Sequence, residues 1–208
     1  MRAESLIFDV DGTLWDSVEL VTRGWNQGLR EDGTTALVCT PERLRPLFGK
    51  TMDEIELELL PGLEPVRRHA LMTRMFAWEH RTMEEDPCEI LYPGVQETVR
   101  ILSRRHRLFI VSNCQKGYIE LLLKKSGMGP WITGHICFGD TGLCKGETLR
   151  LLLERWRISS AVYVGDTQGD LEAARIAGIP FVWAAYGFGV PAWYDAKIET
   201  FVQLTKLF

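Results

Sequence analysis

Four short apolar runs punctuate this chain at wide intervals and constrain its fold more than any other feature. Ser5 to Val10, Leu108 to Val111, Ala161 to Val164 and Phe181 to Ala184 are too short for ordinary helices. The first ends at Asp11-Gly12, a turn former. Runs that are apolar on successive residues have no polar face, so they predict strands buried on both sides. A weaker strand candidate covers His135 to Phe138. Between these runs the period changes to that of a helix. Leu149, Leu152, Leu153 and Trp156 fall at i, i+3, i+4 and i+7, and Val95, Val99 and Leu102 form a similar stripe, as do Ile119, Leu122 and Leu123. Gln168 to Ala177 is rich in Ala and Leu and stops at Gly178 and Pro180. Strands alternating with helices in this way predict βαβ units, hence an α/β fold with a parallel sheet covered by helices on both faces.

One stretch breaks the rhythm. From about Ser17 to Pro87 there is helical periodicity (Val18, Val21, Trp25, Leu29) but no convincing strand. Gly33, Pro41, Pro46, Gly49, Pro61-Gly62 and Pro65 are expected to divide it into several short helices. A crossover between parallel strands needs only a dozen or so residues, so this stretch reads as an inserted all-helical domain. The expected division is a core of residues 1–15 and 88–208 with a cap of residues 16–87. The 208-residue length suits one domain carrying such an insertion.

Composition excludes several function classes. The net charge of −4 and the lack of a Lys/Arg run give no reason to expect nucleic acid or an acidic membrane surface as a partner. Cys39, Cys88, Cys114, Cys137 and Cys144 are odd in number, scattered and without a CxxC pair, which argues against a disulfide framework or a thiolate zinc site. His69, His80, His106 and His135 lack metal-ligand spacing. No apolar run approaches the ~18 residues needed to span a bilayer, and no signal-peptide pattern opens the chain. The expectation is a soluble cytoplasmic protein.

The chemistry-bearing residues cluster where the strands end. Asp9-Val10-Asp11-Gly12-Thr13-Leu14 follows the first strand, at the carboxyl edge where open α/β sheets bind ligands. Two carboxylates two residues apart on a strand point the same way, and their repulsion calls for a cation or a shared proton. Taken alone, Asp-Gly is also ordinary turn chemistry. Ser112-Asn113 follows the second strand, where a hydroxyl and exposed N–H groups can form a phosphate corner, although both residue types also cap helices. Lys145 precedes a helix, and Gly165-Asp166-Thr167-Gln168-Gly169-Asp170 ends the Val162–Val164 strand. A lone lysine is usually solvated, and acids at a helix start also serve the helix dipole. Together, however, several carboxylates, one lysine and a phosphate corner suit Mg2+, which takes oxygen ligands and is commonly shared with a substrate phosphate.

These four elements, in this order, closely resemble the haloacid dehalogenase superfamily in its phosphoglycolate phosphatase-like branch with a helical cap. Leu91-Tyr92-Pro93-Gly94-Val95 and Asp170-Leu171-Glu172-Ala173-Ala174 also resemble that branch. The resemblance implies a Rossmann-like core and a magnesium-dependent phosphatase. It implies Asp9 as nucleophile forming an aspartyl-phosphate, Asp11 as acid–base partner and Lys145 as a charge screen. It further implies Ser112, Asn113 and Thr13 as phosphate-binding residues. Magnesium would be held by the Asp9 carboxylate, the Asp11 backbone carbonyl and Asp166, with Asp170 direct or behind them. Asp11 separates the chain from haloacid dehalogenases proper, which do not need this acid. Two departures stand out: Gly146 rather than Pro follows Lys145, and Asn113-Cys114 replaces the usual neighbours of the serine.

The implied substrate is a small phosphorylated metabolite, with phosphoglycolate as the family's default. Leu47-Phe48-Gly49-Lys50-Thr51 resembles the branch's specificity loop and makes Lys50 the candidate contact for an anionic substrate group. The nearest alternative is a phosphomutase of the β-phosphoglucomutase type, which shares the four motifs. A signalling receiver domain and an inactive regulatory relative are readings of other classes. The first is shorter and lacks such an insertion, and the retained motif positions argue against the second. Oligomeric state is not legible.

Overall fold

The computed structural model describes residues 2–87 and 89–208, so Cys88 lies outside the described residues. In chain order, β1 (Ser5–Phe8) is followed by helices α1 (Val18–Asp32), α2 (Pro41–Leu44), α3 (Met52–Leu59) and α4 (Pro65–Glu85). Then come α5 (Val95–Leu102), β2 (Arg107–Ser112), α6 (Tyr118–Ser126), β3 (Gly134–Cys137), α7 (Phe138–Thr141) and α8 (Lys145–Arg155). The chain closes with β4 (Ala161–Gly165), α9 (Gln168–Ala177), β5 (Phe181–Ala184), β6 (Ala196–Ile198) and α10 (Leu204–Leu207). It falls into two compact units, one of residues up to Asp16 with Ile90–Phe208 and the other Ser17–Glu89.

The first unit is built on a six-stranded sheet of order β3-β2-β1-β4-β5-β6, with every pairing parallel. Its central strands are apolar along their length because helices cover both faces. Leu6, Ile7 and Phe8 of β1 are fully buried, as are Phe109, Ile110 and Val111 of β2 and Tyr163 and Val164 of β4. On one face Leu149 and Leu152 of α8 and Leu171 of α9 pack with Ile7, Phe109, Val111 and Tyr163, and Leu153 and Trp156 lie at the margin. This α/β sandwich is the architecture that the alternating runs predict. The chain proceeds outward from β1 through β2 and β3, then returns to build β4 to β6 on the other side. The order therefore reverses between β1 and β4, the position at which such sheets form a ligand crevice. β6 escapes the sequence reading because it is three residues long, lies at the sheet edge and exposes Lys197.

The chain leaves and re-enters this unit along adjacent backbone. The Asp16 amide donates to the Ile90 carbonyl at 2.9 Å, and the Tyr92 amide to that of Leu14 at 3.0 Å. The second unit is all-helical, as the missing strand signal implies. Its turn formers lie between helices: Gly33 closes α1 at φ 66°, Pro41 opens α2 and Pro65 opens α4. The expected short helices hold only for α2 and α3. α4 runs 21 residues because it contains no Gly and no Pro beyond its first position, and α1 runs 15 despite Gly24 and Gly28. A Cβ on Gly24 would lie 2.6 Å from the Glu79 Cα, and one on Gly28 would lie 2.9 Å from the Met75 Cα. The two helices are therefore antiparallel and in backbone contact along that seam. There the Trp25 indole donates to the buried Glu79 carboxylate.

Candidate functional site

Each motif residue of the α/β unit sits where a strand ends. β1 stops at Phe8, two residues before the end of the run at Val10, and the Asp9 amide continues the ladder by donating to the Val164 carbonyl at 2.9 Å. The chain then turns sharply, with the Leu14 amide donating to the Val10 carbonyl at 2.7 Å and the Gly12 amide to the Trp15 carbonyl at 2.9 Å. Asp11 thus lies in the turn rather than on the strand, and the alternation argument does not govern its direction. The two carboxylates are instead aimed by different partners. Asp9 Oδ1 accepts from Lys145 Nζ at 3.0 Å. Asp11 Oδ1 accepts from the Trp15 indole and the Tyr118 hydroxyl, each at 2.8 Å.

Around Asp9 the structure gathers Asp166, Asp170 and Lys145. One carboxylate oxygen from each of Asp9, Asp166 and Asp170 lies within 4.8 Å of the others, and all three residues are buried. Lys145, the first residue of α8, is also buried, and its ammonium bridges Asp9 and Asp170, at 2.6 Å from Asp170 Oδ1. The Asp170 carboxylate is heavily engaged. Oδ1 also accepts from the Tyr163 hydroxyl at 3.2 Å, while Oδ2 accepts from the Asp166 and Thr167 amides and the Thr167 hydroxyl at 2.7–3.1 Å. Thr167 and Asp170 form a capping box that starts α9. Asp166 takes the Phe188 amide at 2.6 Å and the Thr13 hydroxyl at 3.5 Å.

The electrostatics separate these acids. Burial pushes the Asp9 carboxyl up to about 7, repulsion from Asp170 adds to the rise, and Lys145 offsets part of it. Burial, then repulsion from Asp170 and Asp9, hold Asp166 well above the ordinary carboxylate range. Burial acts on Asp170 in the same direction, but Lys145 and the Thr167 hydrogen bonds outweigh it and hold that carboxyl below its ordinary value. Three carboxylates around one ammonium carry a net charge of −2 when all are ionised. An all-oxygen donor set with that excess charge fits a hard divalent cation of the Mg2+ type.

Of the remaining candidates, Ser112 is the buried last residue of β2 and Asn113 follows it, half-buried. Thr13 is fully buried and engaged with Asp166 rather than displayed for a ligand. Lys50 belongs to the helical unit, where its ammonium pairs with Glu58. Cys39, Cys114 and Cys137 are buried free thiols and Cys144 is an exposed one. Burial and the neighbouring Cys137 push the Cys114 thiol up, away from nucleophilic reactivity.

Sequence reasoning passes over several contributors. Trp15 and Tyr118 orient Asp11, Tyr163 supports Asp170, and the Tyr186-Gly187-Phe188 loop closes on Asp166. That loop follows β5 at the same carboxyl edge, which is the signal that would have singled it out. Two glycines make the approach possible. Gly12 has φ +81°, and a Cβ there would lie 2.2 Å from Asp166 Oδ2; one on Gly187 would lie 2.3 Å from the Asp166 Cβ.

Comparison with known proteins agrees with this geometry. The chain matches the haloacid dehalogenase-like hydrolase family over residues 6–184. It is 29% identical over 181 residues to the pyrophosphatase PpaX of Listeria welshimeri, across 85% of this chain and 80% of that protein. It is 29% identical over 209 residues to the phosphoglycolate phosphatase of Synechococcus elongatus, across 95% and 93% of the two chains. In fold, it matches a crystal structure described as a predicted phosphoglycolate phosphatase from Haemophilus somnus. The TM-score is 0.85 at 20% identity, covering 100% of this chain and 98% of that one. With the motif residues gathered at the carboxyl edge of a parallel sheet and the match spanning both units, the chain belongs to the haloacid dehalogenase-like hydrolases.

Proposed function

We propose that this hydrolase is a phosphatase of small phosphate monoesters, that it works through an aspartyl-phosphate on Asp9 and that it uses Mg2+. One observation carries the reading. Asp9 is a buried carboxylate touching Lys145 within a cluster of acids, while Asp11, two residues on, is held apart by neutral donors. A nucleophile and an acid–base group need just such separate surroundings.

In this reading an Asp9 oxygen attacks phosphorus as the ester P–O bond breaks, and Asp11 gives its proton to the departing oxygen. Water then attacks the aspartyl-phosphate, passes a proton to Asp11 and releases phosphate with Asp9 restored. Lys145 offsets the charge of Asp9 as the phosphate dianion approaches. Ser112 and the amides around Asn113 hold the phosphoryl oxygens, and Thr13 steadies Asp166. Asp9, Asp166 and the Asp11 carbonyl hold the metal, which when bound neutralises charge on the transferring group. Asp170, with both oxygens engaged, positions Lys145 and the Asp166 backbone from behind.

The two relatives frame the substrate, one being a phosphoglycolate phosphatase and the other a pyrophosphatase. Selection between such leaving groups is assigned to the helical unit, with Lys50 as its candidate contact. An anion there competes with Glu58, so Lys50→Ala is expected to raise KM more than it lowers kcat.

The test is a panel of phosphoglycolate, pyrophosphate and sugar phosphates with Mg2+, comparing wild type with Asp9→Asn. Phosphate release by wild type and its loss by at least about 10³-fold in the variant is the expected result. Equal release by both removes Asp9 as nucleophile. Isomerised sugar phosphate without free phosphate makes the chain a mutase.

A further inference from the structure

We propose that Trp15 and Tyr118 are positioning residues for Asp11, together setting the direction in which this acid delivers and receives its proton. The inference rests on the acid–base reading of Asp11 and extends it to two residues outside the motifs. Both donors, the Trp15 indole N–H and the Tyr118 hydroxyl, fall on the same oxygen, Oδ1, at 2.8 Å. A carboxyl group turns in a broad well about its terminal bond. Two donors converging on one oxygen fix that rotation, and with it the direction of Oδ2.

The donors are themselves immobilised. Trp15 is 1% exposed and Tyr118 2%, and their rings meet edge to face with centroids 5.4 Å apart. Trp15 is pinned on the other side by its backbone pairing with Leu91. Tyr118 opens α6, at the end of the loop that begins with Asn113, next to Ser112 at the end of β2. The aim of Asp11 is thereby tied to the loop assigned to the phosphoryl oxygens. Phenylalanine at either position keeps an aromatic ring but supplies no donor.

Leaving-group dependence tests this. An alkyl phosphate needs a proton on its departing oxygen, whereas p-nitrophenolate leaves readily without one. The experiment measures kcat and KM of wild type, Tyr118→Phe, Trp15→Phe and Asp11→Asn with Mg2+. Substrates are p-nitrophenyl phosphate and three alkyl phosphates: phosphoglycolate, glycerol phosphate and a hexose phosphate. Melting temperatures confirm folding. Tyr118→Phe keeps the ring against Trp15, so it tests the hydroxyl alone. Each single variant is expected to lose about tenfold or more in kcat/KM on the alkyl esters, with a much smaller loss of kcat/KM on the aryl ester, because kcat/KM reads only the steps up to departure of the leaving group. The kcat of these variants, which also includes the water step that Asp11 serves for every ester, falls for both classes. The Asp11→Asn pattern should be the same but larger. Equal losses of kcat/KM on both ester classes, or none, overturn the positioning role. Undiminished alkyl ester hydrolysis by Asp11→Asn instead overturns the acid–base reading beneath it, so the two failures are distinguishable.

Discussion

At the scale of single residues the site is a problem of buried charge. The Lys145 ammonium bridges Asp9 and Asp170, and breaking a buried pair from one side typically costs about 3–5 kcal/mol. Lys145→Met should destabilise the metal-free protein by that order at pH 7, measured by urea unfolding, and by less at pH 5, where Asp9 is protonated. Asp170→Asn in the same background should recover part of the loss. The five charged motif residues were readable because each lies just past a strand end or at a helix start. Their supporting partners were not. Tyr118 meets Asp11 across 107 positions of sequence, and the Phe188 amide that serves Asp166 is backbone, which has no residue signature. Asp170 was legible as an acid in the opening turn of a helix, but only the fold reveals that it forms a capping box with Thr167 and that the same carboxylate also receives Lys145.

Among the elements, the α1–α4 pair shows packing overruling propensity. Replacing a mid-helix glycine with alanine ordinarily stabilises by about 1 kcal/mol. At Gly24 the new Cβ would meet the Glu79 Cα at 2.6 Å, where the obstacle is backbone and cannot swing aside. Gly24→Ala should therefore lower stability by about 1–3 kcal/mol, seen as a lower melting temperature, while Gly62→Ala, with open space around it, should not. The helical character of this unit could be read from periodicity, but its organisation could not. Breakers mark where helices end, and the long uninterrupted run of α4 becomes evident only from what is missing inside it. In the sheet the buried apolar strands were legible for the same reason that β6 was not. Burial on both faces leaves a continuous pattern, and an edge position leaves almost none.

For the whole molecule, the acid cluster ties stability to pH and, on the Mg2+ reading proposed above, to metal as well. Folded Asp9 titrates at about 7 against an ordinary 3.8, and Asp166 is raised as well. In the window between, the folded state keeps protons that the unfolded chain has released, so stability falls as pH rises. The metal-free protein should melt progressively lower from about pH 4 to 7. Mg2+ should raise the melting temperature more at pH 7.5 than at pH 5, because deprotonated carboxylates are the ligands. A Mg2+ effect that is the same at both values would contradict the assignment of these acids.

The central place of β1 also has a consequence for how the molecule comes into being. Ser5 to Phe8 is made well before its two neighbours in the sheet, β2 and β4. The strand that leads to Asp9 must wait through the whole helical unit for its first partner and longer still for its second. Pairings so distant in sequence fold slowly. Until β4 and the loop at Phe188 arrive, a nascent chain holds Asp9 without Asp166. The acid cluster is thus completed late, although Asp9, its first member in sequence, is polymerised well before the others.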